Sequence, residues 1–204
     1  MTKRSDALDV QERFAVVFDI CSSSTVIEEL ILAHNLQPMR NLVISMKRFL
    51  WEEAERLGFE VYKFIGDGWI LLFDAGTSGE ELIKFLERLS AHFRSKFDSS
   101  VAPMLGSKPA VTGLTFGIDK GPLVRLVMLQ TNEYIGRALN VASRLQSSIK
   151  DKDKNPQYKV LISRNAYSEL GIPKNFRRIR WVTRSLRNIN GGQEREFVKV
   201  SLKV

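Results

Sequence analysis

Hydrophobic positions along the chain change their period several times, and each change predicts an element. Arg13–Ile20 is a nearly unbroken apolar run carrying Asp19 near its end. A run without polar alternation predicts a buried central strand that delivers Asp19 at its exit. Ser22, Ser23 and Ser24 follow and offer caps for a helix from about Thr25. From Met39 to Leu57 the apolar residues fall at 39, 42, 43, 46, 49, 50 and 57, which predicts an amphipathic helix packed on a sheet.

Phe59–Phe64 and Trp69–Phe73 are strand-like runs on either side of Ile65-Gly-Asp-Gly68, so a hairpin should display Asp67 at its tip. Ser78-Gly-Glu-Glu81 has the form of a capping box and predicts a helix whose inner face includes Leu82, Leu86, Leu89 and Phe93. Prolines and a glycine make Asp98–Pro109 a predicted loop. A second hairpin is expected from Ala110–Ile118 and Leu123–Leu129, turning at Asp119-Lys-Gly-Pro122. A helix from about Gly136 to Ile149 and a charged loop, Lys150–Pro156, come next. A strand at Lys159–Ile162, a short helix to Leu170 and two strands around Gly191-Gly192 complete the pattern. Strands and helices mixed in this way predict an α+β or α/β sandwich with helices over one mixed sheet.

Composition narrows the function classes. At 204 residues, 44% hydrophobic and 26% charged, the chain has the makings of one domain, taken as 13–204 behind a tail of 1–12. No apolar run approaches the roughly 20 residues of a membrane helix, and Met1–Asp6 is too polar for a signal peptide. A cytoplasmic protein without membrane attachment is the expectation. Cys21 is the single cysteine, and with His34 and His92 as the two histidines a thiolate or imidazole zinc site is not expected. A metal here would be held by oxygen. The net charge of +8 fits either a nucleic-acid surface or basic residues gathered around a small polyanion such as a triphosphate. The basic tail lacks the aromatic interleaving of a single-strand stacking platform.

Asp19 at a strand exit and Asp67 at a hairpin tip could share two magnesium or manganese ions, since such ions take one or two carboxylates and leave other positions to water and phosphates. Alone, Asp67 is equally a turn residue. An acid at the end of a buried strand is harder to dismiss, because an uncompensated carboxylate there is costly. Asn140 and Arg144 are four apart on a predicted helix and share one face.

Phe18-Asp-Ile20, Lys63-Phe-Ile-Gly-Asp67, Gly117-Ile-Asp-Lys-Gly121 and Ile135-Gly-Arg-Ala-Leu-Asn-Val-Ala-Ser-Arg144 stand in an order and spacing that resembles class III adenylate and guanylate cyclases. The resemblance spans Phe14 to Phe197. It implies a ferredoxin-like βαββαβ core with a C-terminal extension, working as a head-to-tail homodimer with sites at the interface. By the same resemblance Asp19, Asp67 and the Ile20 carbonyl would hold two divalent ions, Mn²⁺ or Mg²⁺. Lys63 and Glu133 would contact the base, Asn140 would orient the ribose, and Arg144 would stabilise charge on the α-phosphate. Backbone N–H groups of Ser22, Ser23, Ser24 and Thr25 would receive phosphates at a helix N-terminus.

The chain departs from the family in three places. Ser22-Ser23-Ser24 replaces the usual Gly-Phe-Thr, Leu126 stands where a glycine is common, and Arg187 is the nearest candidate for a late triphosphate-binding lysine. The Asp19-Ile-Cys-Ser-Ser-Ser24 and Tyr62–Trp69 segments resemble the stand-alone pyrimidine cyclases of bacterial anti-phage systems. These make cyclic UMP or cyclic CMP as a messenger for a separate effector protein. The expected substrate is therefore UTP or CTP. An adenylate cyclase acting on ATP is the alternative within the class, and a non-catalytic dimerisation or nucleic-acid-binding module is the alternative outside it.

Overall fold

The structure is a computed structural model describing residues 8–107, 109–173, 178–186, 189 and 192–204. Its first half follows a β-α-α-β-β-α-β order: β1 (Asp9–Ile20), α1 (Ser23–Leu32), α2 (Gln37–Leu57), β2 (Glu60–Ile65), β3 (Gly68–Asp74), α3 (Gly79–Lys96) and β4 (Leu114–Met128). The second half adds β5 (Thr131–Ile135), α4 (Arg137–Lys152), β6 (Lys159–Ile162), α5 (Arg164–Leu170), β7 (Ile179–Ser185) and β8 (Glu194–Ser201). The strands form one sheet in the order β2-β3-β1-β4-β6-β8-β7, with β5 paired to the far end of β4. Its first four strands carry the ferredoxin-like core, and the β4–β6 pair is parallel while the others are antiparallel.

The apolar run in β1 has a simple cause: both faces are covered. Phe14, Val16 and Phe18 pack with α2 residues Leu42, Met46 and Leu50 and with Leu82, Leu86 and Leu89 of α3. Ala15 and Val17 point the other way, onto Ala138 and Ala142 of α4. Side chains alternate along a strand, so two buried faces leave no position for polar residues. The same helix turns Val141, Leu145 and Ile149 onto Leu161 and Phe197 in the extension.

Two glycines set the close approaches on which the site depends. A Cβ on Gly117 would lie 2.0 Å from the Ala142 carbonyl oxygen, so its absence lets α4 rest directly on β4. A Cβ on Gly68 would lie 2.1 Å from the Phe18 carbonyl oxygen, so its absence lets the β2–β3 hairpin close against the end of β1.

Several boundaries differ from expectation. β1 begins at Asp9, ahead of Arg13, because Asp9–Gln11 pair with Leu123–Arg125 and Arg125 donates to Asp9. The expected hairpin at Asp119-Lys-Gly-Pro122 does not form: β4 runs straight through it, paired with β1 along its length. Pro122 falls between the β6 and β5 partners on the other edge, where a missing N–H is tolerated. The hairpin instead turns at Leu129-Gln130, both at positive φ. Asp98–Pro109 is not wholly a loop, since a π turn (Phe97–Val101) and a 3-10 turn (Ala102–Met104) continue α3 and bury Phe97 and Val101. Ser78 occupies the N-cap of α3 without its side-chain bond. α4 extends to Lys152, which puts Lys150 on a helix and not in a loop.

Candidate active site

The site is built at the end of β1. Ile65 pairs with Gly68, so Gly66 and Asp67 are the two-residue turn, with Gly66 at φ 63 as a tight hairpin requires. That turn sets the Asp67 carboxyl within hydrogen-bonding reach of Asp19. Asp67 Oδ2 is buried and has no hydrogen-bond partner. Asp19 is pushed up to about 6, first by burial and then by the Asp67 carboxyl beside it, against the pull of Lys150. Two carboxyls at contact distance resist ionising together, which is the signature of a site short of positive charge.

Among the described residues, Lys150 is the cation that bonds Asp19. Its Nζ donates to Asp19 Oδ2 at 2.5 Å and to the Ile20 carbonyl at 3.0 Å. Sequence reasoning missed this residue because its expected place was a solvated loop. Among the described residues no group of three or more His, Cys, Asp or Glu side chains gathers in a form that could hold a metal. Asp19, Asp67 and the Ile20 carbonyl nevertheless form an all-oxygen donor set with an orphaned buried oxygen, which fits Mg²⁺ or Mn²⁺ with water and phosphate completing the shell.

The α1 N-terminus opens beside this cluster. Ser22 adopts φ 57, its hydroxyl donates to the Val111 carbonyl at 2.8 Å, and its carbonyl accepts from Val26 N–H. Its side chain is therefore committed to structure and does not cap the helix. The N–H groups of Ser23, Ser24 and Thr25 precede the first intrahelical bond and have no acidic side chain in that turn. A cleft of about 310 Å³ lies alongside, lined by Cys21, Ser22, Lys150 and Lys154. Burial pushes the Cys21 thiol up to about 11, away from the thiolate form. Arg187 lies outside the described residues.

Lys63 and Glu133 meet in an ion pair. Lys63 Nζ donates to Glu133 Oε2 at 2.9 Å, and the Tyr62 hydroxyl donates to the same oxygen at 2.7 Å. Neighbouring residues on a regular strand face opposite ways, but β2 carries a register shift between Val61 and Lys63. The bulge turns Tyr62 and Lys63 to one side. Tyr62 also accepts from the Tyr134 N–H at 3.1 Å. These bonds, the tyrosine's first and the lysine's second, hold Glu133 below the usual carboxylate range. Tyr62 is a second residue that sequence reasoning missed, and its adjacency to Lys63 was the only clue.

Asn140 and Arg144 do share an exposed face of α4. They do not meet Asp19 of their own chain. Asn140 is ten residues from Lys150 on the same helix, about 15 Å along its axis, and Arg144 is turned about 120° away from Lys150.

The fold is that of the catalytic domains of adenylyl and guanylyl cyclases. The guanylyl cyclase Cya2 superposes with a TM-score of 0.72 at 16% identity, over 96% of this chain and 95% of that one. The adenylyl cyclase CyaB from P. aeruginosa gives 0.66 at 19% identity, over 97% and 98% of the two chains. Adenylate cyclases from Trypanosoma brucei in their monomeric state include one at 0.66 and 14% identity, over 93% and 88%. No family model matches the sequence, and no curated protein sequence matches it significantly. Among the described residues no helix is long and apolar enough to cross a membrane.

Proposed function

We propose that this chain is a class III nucleotidyl cyclase that closes a pyrimidine nucleoside triphosphate, UTP or CTP, into its 3′,5′-cyclic monophosphate with release of pyrophosphate. The observation that carries the reading is the Asp19–Asp67 pair, an acidic oxygen cluster with a buried unpartnered oxygen beside an open helix N-terminus. Asp19, Asp67 and the Ile20 carbonyl would hold two divalent ions, which when bound polarise phosphate oxygens and make the ribose 3′-hydroxyl a better nucleophile.

The protein's own groups do the rest. The first-turn N–H groups of α1 receive phosphate oxygens. Asn140 orients the ribose so that O3′ faces the α-phosphorus in line with the departing pyrophosphate. Arg144 offsets the charge that grows on the α-phosphate as the O3′–P bond forms and the P–O bond to pyrophosphate breaks. Nucleophile and electrophile belong to one molecule, so holding this geometry is a large part of the catalysis.

A homodimer completes the site, with Asp19 and Asp67 from one copy and Lys63, Glu133, Asn140 and Arg144 from the other. Two features support it: the α4 face bearing Asn140 and Arg144 is turned from the chain's own carboxylates, and exposed Val127, Met128, Leu129 and Ile135 make the β4–β5 hairpin an apolar arm. Glu133 as acceptor and Lys63 as donor can read either pyrimidine. Glu133 is one methylene longer than the aspartate of many adenylate cyclases, and about 1.5 Å of added reach suits a six-membered base. As a second messenger the product would act on a separate effector, in the anti-phage role of the pyrimidine cyclases this sequence resembles.

The test is incubation with each of the four nucleoside triphosphates and Mn²⁺, followed by mass analysis. Cyclic UMP or cyclic CMP is expected to dominate. Preference for ATP over both pyrimidines would overturn the base assignment, and no cyclic product from any nucleotide would overturn the enzyme reading. Mixing Asp19→Ala with Asn140→Ala subunits should restore turnover; exchange without restoration refutes the shared site.

A further inference from the structure

We propose that Lys150 is a built-in cation that occupies the metal ligands of the empty enzyme and sets how tightly metal can bind. The inference rests on the assignment of Asp19, Asp67 and the Ile20 carbonyl as metal donors. Lys150 Nζ bonds two of those three groups at once, the Asp19 carboxylate and the Ile20 carbonyl. A side chain that simply neutralised a nearby acid would have no need of the main-chain oxygen as well. Together the two bonds place a positive charge among the donor oxygens.

The placement is not accidental to the fold. Gly117 seats α4 on β4, and Val141, Leu145 and Ile149 anchor its inner face. The helix end is thereby held over the β1 exit, with Lys150 one residue beyond buried Ile149. Asp153, just past the helix end, is engaged by Arg184 and Lys199 at about 3 Å. Lys150 is left to Asp19 and the Ile20 carbonyl.

Two consequences follow from charge alone. Without metal, Lys150 relieves the repulsion between Asp19 and Asp67 and keeps the ligands in place. With metal, the ammonium is displaced, since a divalent ion and an ammonium on the same oxygens would lie within a few ångströms of each other and repel. The adjoining cleft beside Ser22, about 310 Å³ in volume, gives it somewhere to go. A lysine side chain spans about 6 Å, so the released ammonium stays near the α1 N-terminus where a triphosphate would lie. Metal affinity is lowered by the fraction of time the ligands are open, so a latch engaged about nine-tenths of the time weakens it about tenfold.

The test is direct Mn²⁺ titration of the nucleotide-free protein, followed by the electron paramagnetic resonance of free Mn²⁺, for wild type, Lys150→Met, Lys150→Arg and Asp19→Asn. Lys150→Met should bind Mn²⁺ about tenfold more tightly than wild type, and Lys150→Arg should stay near wild type. Lys150→Met should also melt lower than wild type without metal and gain more from added Mn²⁺. An unchanged or weaker Mn²⁺ affinity in Lys150→Met overturns the proposal, provided Asp19→Asn abolishes binding. If Asp19→Asn binds as well as wild type, the donor assignment itself fails and the latch falls with it.

Discussion

Replacing Gly68 by alanine tests whether the site depends on a close approach between two strands. The new Cβ would sit 2.1 Å from the Phe18 carbonyl oxygen and 3.1 Å from the Asp19 Cα. Ordinary contact demands well over 3 Å, so the β2–β3 hairpin and the end of β1 must part by about 1 Å. Gly68 follows Asp67 directly, and its neighbour Trp69 pairs with Phe18. The displacement therefore falls on the distance between the two carboxyls. Overpacking of this kind costs about 1–3 kcal/mol, and for a chain of this size that lowers the unfolding temperature by about 2–12 °C. A reactive arrangement misplaced by about 1 Å loses on the order of 10²-fold in rate. Gly76 is the control, because a Cβ there meets nothing within 4 Å. Turnover of the preferred triphosphate, Mn²⁺ affinity and thermal unfolding would be measured for both alanine variants. Gly68→Ala is expected to lose turnover and metal binding far beyond its loss of stability, with Gly76→Ala near wild type. A Gly68→Ala protein with turnover and Mn²⁺ affinity within twofold of wild type would refute the dependence of the site on this contact.

Tyr62→Phe removes the donor to Glu133 and the acceptor of the Tyr134 N–H. It should lower the unfolding temperature only slightly and raise KM more than it lowers kcat; equal loss in both would argue that Glu133 does not contact the base. Burial pushes the Asp119 carboxyl up, and its Oδ2 has no hydrogen-bond partner. A carboxyl whose folded pKa is raised contributes stability below its unfolded pKa near 3.8 and loses it as pH rises through the folded value. Asp119→Asn should therefore melt higher than wild type at pH 7, with the difference shrinking toward pH 4, and a gap independent of pH would show that burial does not govern this group. The tip residues Leu129 and Gln130 sit at φ 46 and 69, where Asn-Gly is the favoured pair. Leu129→Asn with Gln130→Gly should stabilise the dilute monomer by about 1 kcal/mol and weaken dimerisation in sedimentation experiments; unaltered self-association would remove the arm from the interface.

Much of this molecule is written in local patterns. Phe14–Phe18 had to be a covered strand because no polar position interrupts it, and Gly66-Asp67 had to be a turn because strand-like runs flank it on both sides. The helical spacing in Met39–Leu57 and the shared face of Asn140 and Arg144 are likewise properties of a few neighbouring residues. Those periods place Asp19, Asp67, Asn140 and Arg144 on their elements before any contact is known.

What tertiary structure alone decided is who meets whom. Pro122 and Gly121 look like a turn in isolation, yet the ladder to β1 carries β4 straight through them. Tyr62 joins Lys63 on Glu133 only because a bulge shifts the register of β2 against β3. Lys150 reads as one charge in a charged loop until Gly117 lets α4 settle on β4 and carries the helix end to Asp19. Periodicity is a property of a few neighbouring residues, whereas register and helix seating arise from backbone contacts between separate elements, and no local pattern encodes those.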